Sequence, residues 1–385
     1  MNTTWRQCTI GDVCDTISNT YNSNAQQVVL INTSDVLEGK VLNHIYIPNE
    51  NLKGQFKKTF EEGDILYSEI RPQNKRYAYI DFAPINYIAS TKLMVIRNKN
   101  IVKSKYLYYF LQSDKIISEL QMLAETRSGT FPQITFNELS KLSIKIPPLP
   151  EQDRIISILD SICKKIDINQ QINDNLEEQA KALFNHYFIQ NTENLGEWQD
   201  GVLTDIAQYL NGLAMQKYPA MPNEAGLPVL KIKELGQGQC DTNSDRCSSL
   251  IKPEYIISDG TIIFSWSGTL LVDIWCGGKC GLNQHLFKVS SAKYPQWFVF
   301  YWTKHHLNKF IRIAKDKAVT MGHIKRCDLE ISKVKIPSKQ ALVNLDKLFS
   351  PIFNRMVTCR IENRKLSSLR DTLLPKLMSG EISVE

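Results

Sequence analysis

The chain is written twice, and the second copy keeps the order and nearly the spacing of the first. Trp5-Arg6-Gln7-Cys8-Thr9-Ile10-Gly11-Asp12-Val13 is echoed by Trp198-Gln199-Asp200-Gly201-Val202-Leu203-Thr204-Asp205-Ile206, 193 positions later. Gly63-Asp64-Ile65-Leu66-Tyr67-Ser68 returns as Gly260-Thr261-Ile262-Ile263-Phe264-Ser265 at an offset of 197, and Leu93-Met94 as Leu286-Phe287 at 193. Thr130-Phe131-Pro132-Gln133-Ile134 returns as Thr320-Met321-Gly322-His323-Ile324, and Ile144-Lys145-Ile146-Pro147 as Val334-Lys335-Ile336-Pro337, both at 190. From there the offset holds at 190 through a long helical pattern. The globular part of each copy tolerates insertion and divergence, while the helical part keeps its length. A chain built this way presents two different surfaces on a frame of fixed length, which suggests a two-part reader.

The repeat divides the 385 residues into arms at 1–147 and 191–337 and helical segments at 148–190 and 338–385. Each arm is long enough for its own core. Strand-like runs rich in β-branched and aromatic residues cover 27–31, 64–67, 77–80 and 92–96 in the first arm. The second arm has them at 229–232, 261–264 and 285–289. Short helices follow over 104–111 and 296–310, so both arms read as mixed α/β.

The helical segments carry a seam. Steps of four and three from Ile155 give Leu159, Ile162, Ile166, Asn169, Asn173, Leu176, Ala180, Leu183 and Tyr187. Adding 190 gives Leu345, Phe349, Ile352, Met356, Cys359, Asn363, Leu366, Arg370, Leu373 and Leu377. This is the spacing of a coiled coil. Pro150-Glu151-Gln152-Asp153 opens the first helix with proline and acids, and Ser379-Gly380 stops the second. Asn173 and Asn363 hold equivalent seam positions. In an antiparallel pair related by a pseudo-twofold they meet only near the dyad, where paired Asn fixes register.

Each arm holds 17 basic and 14 acidic residues, a net +3, which permits nucleic-acid binding without demanding it. No apolar run approaches the ~18 residues of a membrane span, and the polar start reads as no signal peptide. Nine irregularly spaced cysteines fit a reducing cytoplasm. There is no Walker P-loop, and no Asn/Asp-Pro-Pro-aromatic tetrapeptide of the kind amino-methyltransferases use. Gly236-Gln237-Gly238 lacks the third glycine of a dinucleotide turn and reads as a loop. His305-His306 reads as a surface pair. Cys240, Cys247, Cys276 and Cys280 lack the spacing of a standard zinc ribbon and leave metal binding open. A self-sufficient enzyme is therefore disfavoured; a binding protein or a coiled-coil scaffold remains.

Ile146-Pro147-Pro148-Leu149-Pro150-Glu151-Gln152-Asp153-Arg154-Ile155 resembles the proline-rich entry to the conserved helix of DNA-specificity subunits from type I restriction-modification systems. Leu369-Arg370-Asp371-Thr372-Leu373-Leu374-Pro375-Lys376-Leu377-Met378-Ser379-Gly380-Glu381-Ile382 resembles that family's C-terminal helix end, and Gly129-Thr130-Phe131-Pro132-Gln133-Ile134 the segment closing its recognition domains. Ser338-Lys339-Gln340-Ala341 departs from the pattern at the second helix entry. The resemblance implies two mixed α/β target recognition domains joined by two long antiparallel helices that form a coiled-coil spacer. It also implies a chain with no active site of its own. Each domain is expected to read one half of an interrupted double-stranded DNA target. Two methyltransferase subunits are expected to dock, with motor-nuclease subunits joining them. S-adenosylmethionine, ATP and Mg are expected in those partners.

Arg pairs bidentately with guanine and Asn or Gln with adenine, while Lys mostly neutralises phosphate. On that chemistry the candidate DNA contacts of the first arm are Lys53, Lys57, Lys58, Arg71, Gln73, Asn74, Lys75, Arg76 and Lys92. Those of the second are Lys217, Ser267, Thr269, Lys279, Asn283, Gln284, His285, Lys325 and Arg326. The Arg71–Arg76 stretch is the leading candidate, because a basic-polar loop between two strands is an element able to enter a groove.

Overall fold

The structure is a computed structural model that describes residues 5–50, 52, 54–127, 130–190, 198–316 and 322–384. It divides into two compact units, Met1–Cys163 with Ser368–Glu385, and Lys164–Ser367. Each unit holds one arm together with part of each long helix.

In the first unit, strand Arg6–Thr9 pairs antiparallel with Ser143–Ile146, joining the start of the arm to its end. Two four-stranded sheets lie between them in sequence. One is antiparallel throughout, in the order Cys14–Ile17, Leu93–Asn98, Ile65–Ser68, Tyr77–Tyr79. The other runs Ile47–Pro48, Gln27–Ile31, Tyr87–Ser90, Phe56–Lys58, with a parallel pair at its centre. The second unit repeats all of this. Gln199–Val202 pairs with Lys333–Ile336. One sheet runs Gln208–Asn211, Leu286–Ser290, Thr261–Ser265, Leu271–Trp275. The other runs Arg246–Cys247, Leu227–Leu230, Cys280–Leu282, Ile256–Ile257, again with its central pair parallel. Strand order and direction agree throughout, so the sequence repeat is a repeat of fold.

Helix Ser104–Leu111 buries Tyr106, Leu107, Phe110 and Leu111 against the first sheet system and is followed by Asp114–Arg127. Its counterpart is a single helix, Gln296–Asp316, longer than the pattern ending at Phe310 indicated. Its residue His306 donates from Nε2 to the Lys333 carbonyl at 2.8 Å, tying the helix to the closing strand pair. This corrects the surface-pair reading: His305 is exposed, but His306 is half-buried. Gly236-Gln237-Gly238 is a helix end, not a free loop; Gly238, at φ +71°, closes helix Ile232–Gln237.

The long helices are Leu149–Phe184 and Lys339–Ser379, the second closed by Gly380 at φ +77°. In the first unit Ile155 and Leu159 share one core with Leu374, Leu377 and Met378. In the second unit Ala180, Phe184 and Phe188 share one with Leu345, Phe349 and Phe353. There Asn169 meets Asn363 at one end and Phe188 packs on Phe349 at the other, so these segments run antiparallel.

The seam departs from the expected register at several positions. Asn363 pairs with Asn169, whose Nδ2 donates to Asn363 Oδ1 at 2.9 Å, and not with Asn173. Leu176 and Leu183 are only half-buried, and after Ala180 the buried positions are Phe184 and Phe188. Phe353 is buried where Ile352 was expected, and Leu374 where Leu373 was. Ile166 and Leu366 are half-buried as well. A strict seven-residue repeat averages 3.5 residues per turn, whereas a straight helix has 3.6 and drifts by ~20° per heptad. Steps of four, followed by a π-turn at Asn185–Gln190, carry the stripe into the arm core.

Asn173 is 4% exposed, and neither its Oδ1 nor its Nδ2 has a hydrogen-bond partner among the described residues. A buried amide left unsatisfied costs ~1–3 kcal/mol. Asn173→Leu is therefore expected to stabilise the protein by about that amount, read as a higher denaturation midpoint with an unchanged slope. Burial pushes the His306 imidazole down to about 4 from its usual 6.5, and His305 and Lys309 act in the same direction. The unfolded chain takes that proton first, so stability is lost as pH falls from about 6.5 towards about 4. His306→Gln should flatten that part of the stability-pH curve relative to wild type, measured by urea titration at successive pH values.

Candidate nucleic-acid interface

In each arm the turn that follows the third strand of the antiparallel sheet folds onto the segment that closes the arm. Ile70 bridges to Gln133 in the first arm, and Ser267 to His323 in the second. Those pairs are related by the repeat offsets themselves. The backbone repeats as well. Ile134 N donates to Glu69 O at 2.9 Å and Arg71 N to Pro132 O at 3.1 Å; Ile324 N donates to Trp266 O at 3.1 Å and Gly268 N to Gly322 O at 3.0 Å. A buried serine hydroxyl sits at the root of each turn, Ser68 donating to Ile70 O at 3.3 Å and Ser265 to Ser267 O at 3.2 Å. Behind them Ser90 Oγ accepts from Lys92 N, and Asn283 Oδ1 from His285 N, both at 3.3 Å. Positions 71 and 92 of the first arm thus correspond to 268 and 285 of the second.

The side chains on this shared frame differ. In the first arm a one-turn helix, Pro72–Asn74, is flanked by Arg71 and Lys75, both left-handed at φ +43° and +53°. It rests on helix Asp114–Arg127 through Gln73 N to Gln121 Oε1 at 3.2 Å and Lys75 Nζ to Asp114 at 3.0 Å. Lys92 Nζ reaches Gln133 Oε1 at 3.0 Å and Glu69 at 3.7 Å. In the second arm Trp266 lies against Phe287, His285 and His323, and its Nε1 donates to Asn211 Oδ1 at 3.0 Å. Gln216, Lys231, Lys233, Asn283, Gln284 and His285 line a neighbouring cleft. Amides and an imidazole suit the hydrogen-bonding edges of bases, and flanking cations suit phosphates.

Several candidates face inward instead. Lys58 Nζ donates to the Thr91 and Leu93 carbonyls at 3.1 and 2.8 Å, and burial lowers its pKa. Arg76 Nη1 donates to the Ser34 and Val36 carbonyls at 3.0 and 3.3 Å, fastening two loops of the arm. Ser267 and Asn283 are buried, at 6% and 5% exposure, and position their neighbours. Lys279 precedes strand Cys280–Leu282 while Gln284 and His285 follow it, so it lies at the other end from the cleft. Lys57, Asn74, Lys217 and Thr269 are exposed. Lys325 caps helix Arg326–Glu330, where Arg326 pairs with Glu330 at 3.7 Å. Lys53 lies outside the described residues. Sequence reasoning passed over Gln133, His323, Trp266 and Gln216 as contacts, although the 190-residue offset already aligned Gln133 with His323.

The four cysteines of the second arm do not gather into one cluster, although Cys240 and Cys280 meet. Cys247 packs with Met215, Val229 and Ile251, Cys280 with Leu230 and Ile257, and Cys276 in the main core. Among the described residues no three His, Cys, Asp or Glu side chains group as a metal site. Cys240 and Cys280 are free thiols joined by a hydrogen bond, which lowers the pKa of Cys240 and, with burial, raises that of Cys280.

The two arginines of the first-arm turn therefore predict opposite phenotypes. Arg76→Ala removes charged hydrogen bonds worth ~1–3 kcal/mol and should lower stability by that amount in equilibrium unfolding. Arg71→Ala should leave stability within ~0.5 kcal/mol of wild type.

Residues 2–178 match the family model described as the type I restriction modification DNA specificity domain. The HindI type I restriction enzyme specificity subunit of Haemophilus influenzae is 29% identical, over 98% of this chain and 99% of its own length. The MjaIX specificity subunit of Methanocaldococcus jannaschii is 27% identical over 79% of this chain and 76% of its own. The solved type I restriction-modification S subunit from M. genitalium superposes with a TM-score of 0.54 at 16% identity, covering 98% of this chain and 96% of that one, and so shares the fold. Two arms of one topology, each followed by a long helix, are thus similar over residues 2–178 to the type I restriction modification DNA specificity domain, and over nearly the whole chain to a type I restriction enzyme specificity subunit.

Proposed function

We propose that this chain is the DNA sequence-specificity subunit of a type I restriction-modification complex, each arm reading one half of a bipartite target. The paired long helices act as a coiled-coil spacer that sets the gap between the half-sites and docks two methyltransferase subunits. Catalysis belongs to those partners and to motor-nuclease subunits, which use S-adenosylmethionine, ATP and Mg. The observation that carries this reading is the duplicated frame. The same turn and closing segment recur in both arms, with Arg71 and Lys92 on one and Trp266, Gln284 and His285 on the other. Identical scaffolds with different polar surfaces are what two different half-sites require.

The spacer role has a direct test. Ala180 lies in the core of the second unit, so an insertion beside it disturbs packing. One heptad placed between Cys163 and Lys164, and another between Ser367 and Ser368, falls instead at the unit boundaries. Each lengthens its helix by ~10 Å at ~1.5 Å per residue. At ~3.4 Å per base pair, that corresponds to about three base pairs. Sequencing of methylated sites should show a changed gap with both half-sites unaltered. An unaltered gap would remove the spacer role, and an altered half-site would show that the insertion had reached an arm.

A further inference from the structure

Five cations surround the first-arm turn, and four already have partners within the protein. Lys58 and Arg76 are bonded to backbone carbonyls, Lys75 to Asp114, and Lys92 to Gln133 and Glu69. Arg71 is exposed, and its guanidinium makes no hydrogen bond or ion pair among the described residues.

Its backbone is unusual too. At φ +43° a side chain with a Cβ is disfavoured, and glycine is the residue that adopts this conformation freely. The corresponding position of the second arm has glycine, Gly268 at φ +66°. Both backbones are held alike, Arg71 N on Pro132 O and Gly268 N on Gly322 O. The first arm therefore keeps a long cationic side chain where the turn favours glycine, and no hydrogen bond or ion pair of that side chain among the described residues compensates. A group retained against local strain and left unpaired is suited to an external partner. A guanidinium fork held by a rigid turn matches the O6/N7 edge of guanine in the major groove better than it matches a single phosphate.

We infer that Arg71 is the guanine-reading residue of the first half-site, and that its charged neighbours position the turn rather than read sequence. This rests on the specificity-subunit function proposed above. The counterpart position in the second arm, Gly268, has no side chain with which to read a base.

The test uses the full-length chain assembled with its methyltransferase subunits, with methylated-site sequencing and binding measured across salt concentrations. Arg71→Gly copies the second arm, relieves the strained backbone and should fold at least as well as wild type. It should relax one guanine position of the first half-site and weaken binding to the wild-type site ~5- to 150-fold. The second half-site should be unchanged. Arg71→Lys keeps the charge without the fork and should also relax that position, while retaining the salt dependence. Unchanged sequence preference in Arg71→Gly overturns the inference. So does a salt slope reduced by ~0.9 with specificity intact, the signature of a phosphate contact. If the wild-type complex methylates no bipartite sequence, it is the specificity-subunit reading that fails, independently of Arg71.

Discussion

The antiparallel pairing of each arm's first strand with its last is the constraint on which the rest of each unit depends. It brings the chain back to where the arm began, Arg6 opposite Ile146 and Gln199 opposite Ile336, and the long helix leaves directly from that closing strand. The helix does not start in solvent. Ile155 and Leu159 are buried in the first arm's core, and Leu345 and Phe349 in the second's. Each long helix is thus an extension of the arm core, and its direction is fixed by the same packing that stabilises the arm.

The two helix entries reach this result with different chemistry. In the first, Gln152 is 1% exposed; its Nε2 donates to Pro147 O and its Oε1 accepts from Lys103 N, both at 2.8 Å. The second copy has Leu342 in place of this glutamine, just past the sequence departure at Ser338-Lys339-Gln340-Ala341. There Trp297 stacks on Phe349 at 4.2 Å, and its Nε1 donates to Asp346 at 2.7 Å. The second helix is held further along by Arg360 on Asp273 at 2.6 Å, and by Arg364, bidentate to Asp259 at 2.6 and 2.9 Å. Arg360 also approaches Glu177, at 3.9 Å. Fork-shaped, partly buried pairs of this kind hold geometry better than exposed lysine pairs do.

Much of this was legible in the sequence because repetition and periodicity are global signals. The sequence repeat reappears as a repeat of strand order, and the burial of Ile155, Leu159, Leu345 and Phe349 follows from their spacing. What was hidden is local and tertiary. Strands of two or three residues, such as Ile47–Pro48 or Ile256–Ile257, are too short to carry an alternation pattern. The parallel central pairs join residues 58 and 52 positions apart, Val29 with Tyr87 and Val229 with Gly281, and no local pattern encodes such pairing. The Asn169–Asn363 match depends on how two helices slide against each other, a property neither sequence holds alone. At the interface, composition marked Arg71, Lys75 and Arg76 as one basic run. Whether a guanidinium meets a carbonyl or solvent depends on loops thirty to sixty residues away.

Separating scaffold from surface also explains how the two copies diverge without refolding. The turn and closing segment are joined by backbone hydrogen bonds and a buried serine, neither of which depends on the outward side chains. Positions 69, 71 and 92 can therefore be Glu, Arg and Lys in one arm and Trp, Gly and His at the corresponding places of the other, while bridge and register remain. The cost of such exchanges is confined to one strained residue or one ring contact, well below the several kcal/mol of a disturbed core. Stability resides in the strand pairing, the arm cores and the helix roots. The outward side chains can therefore change one residue at a time on a frame that stays fixed.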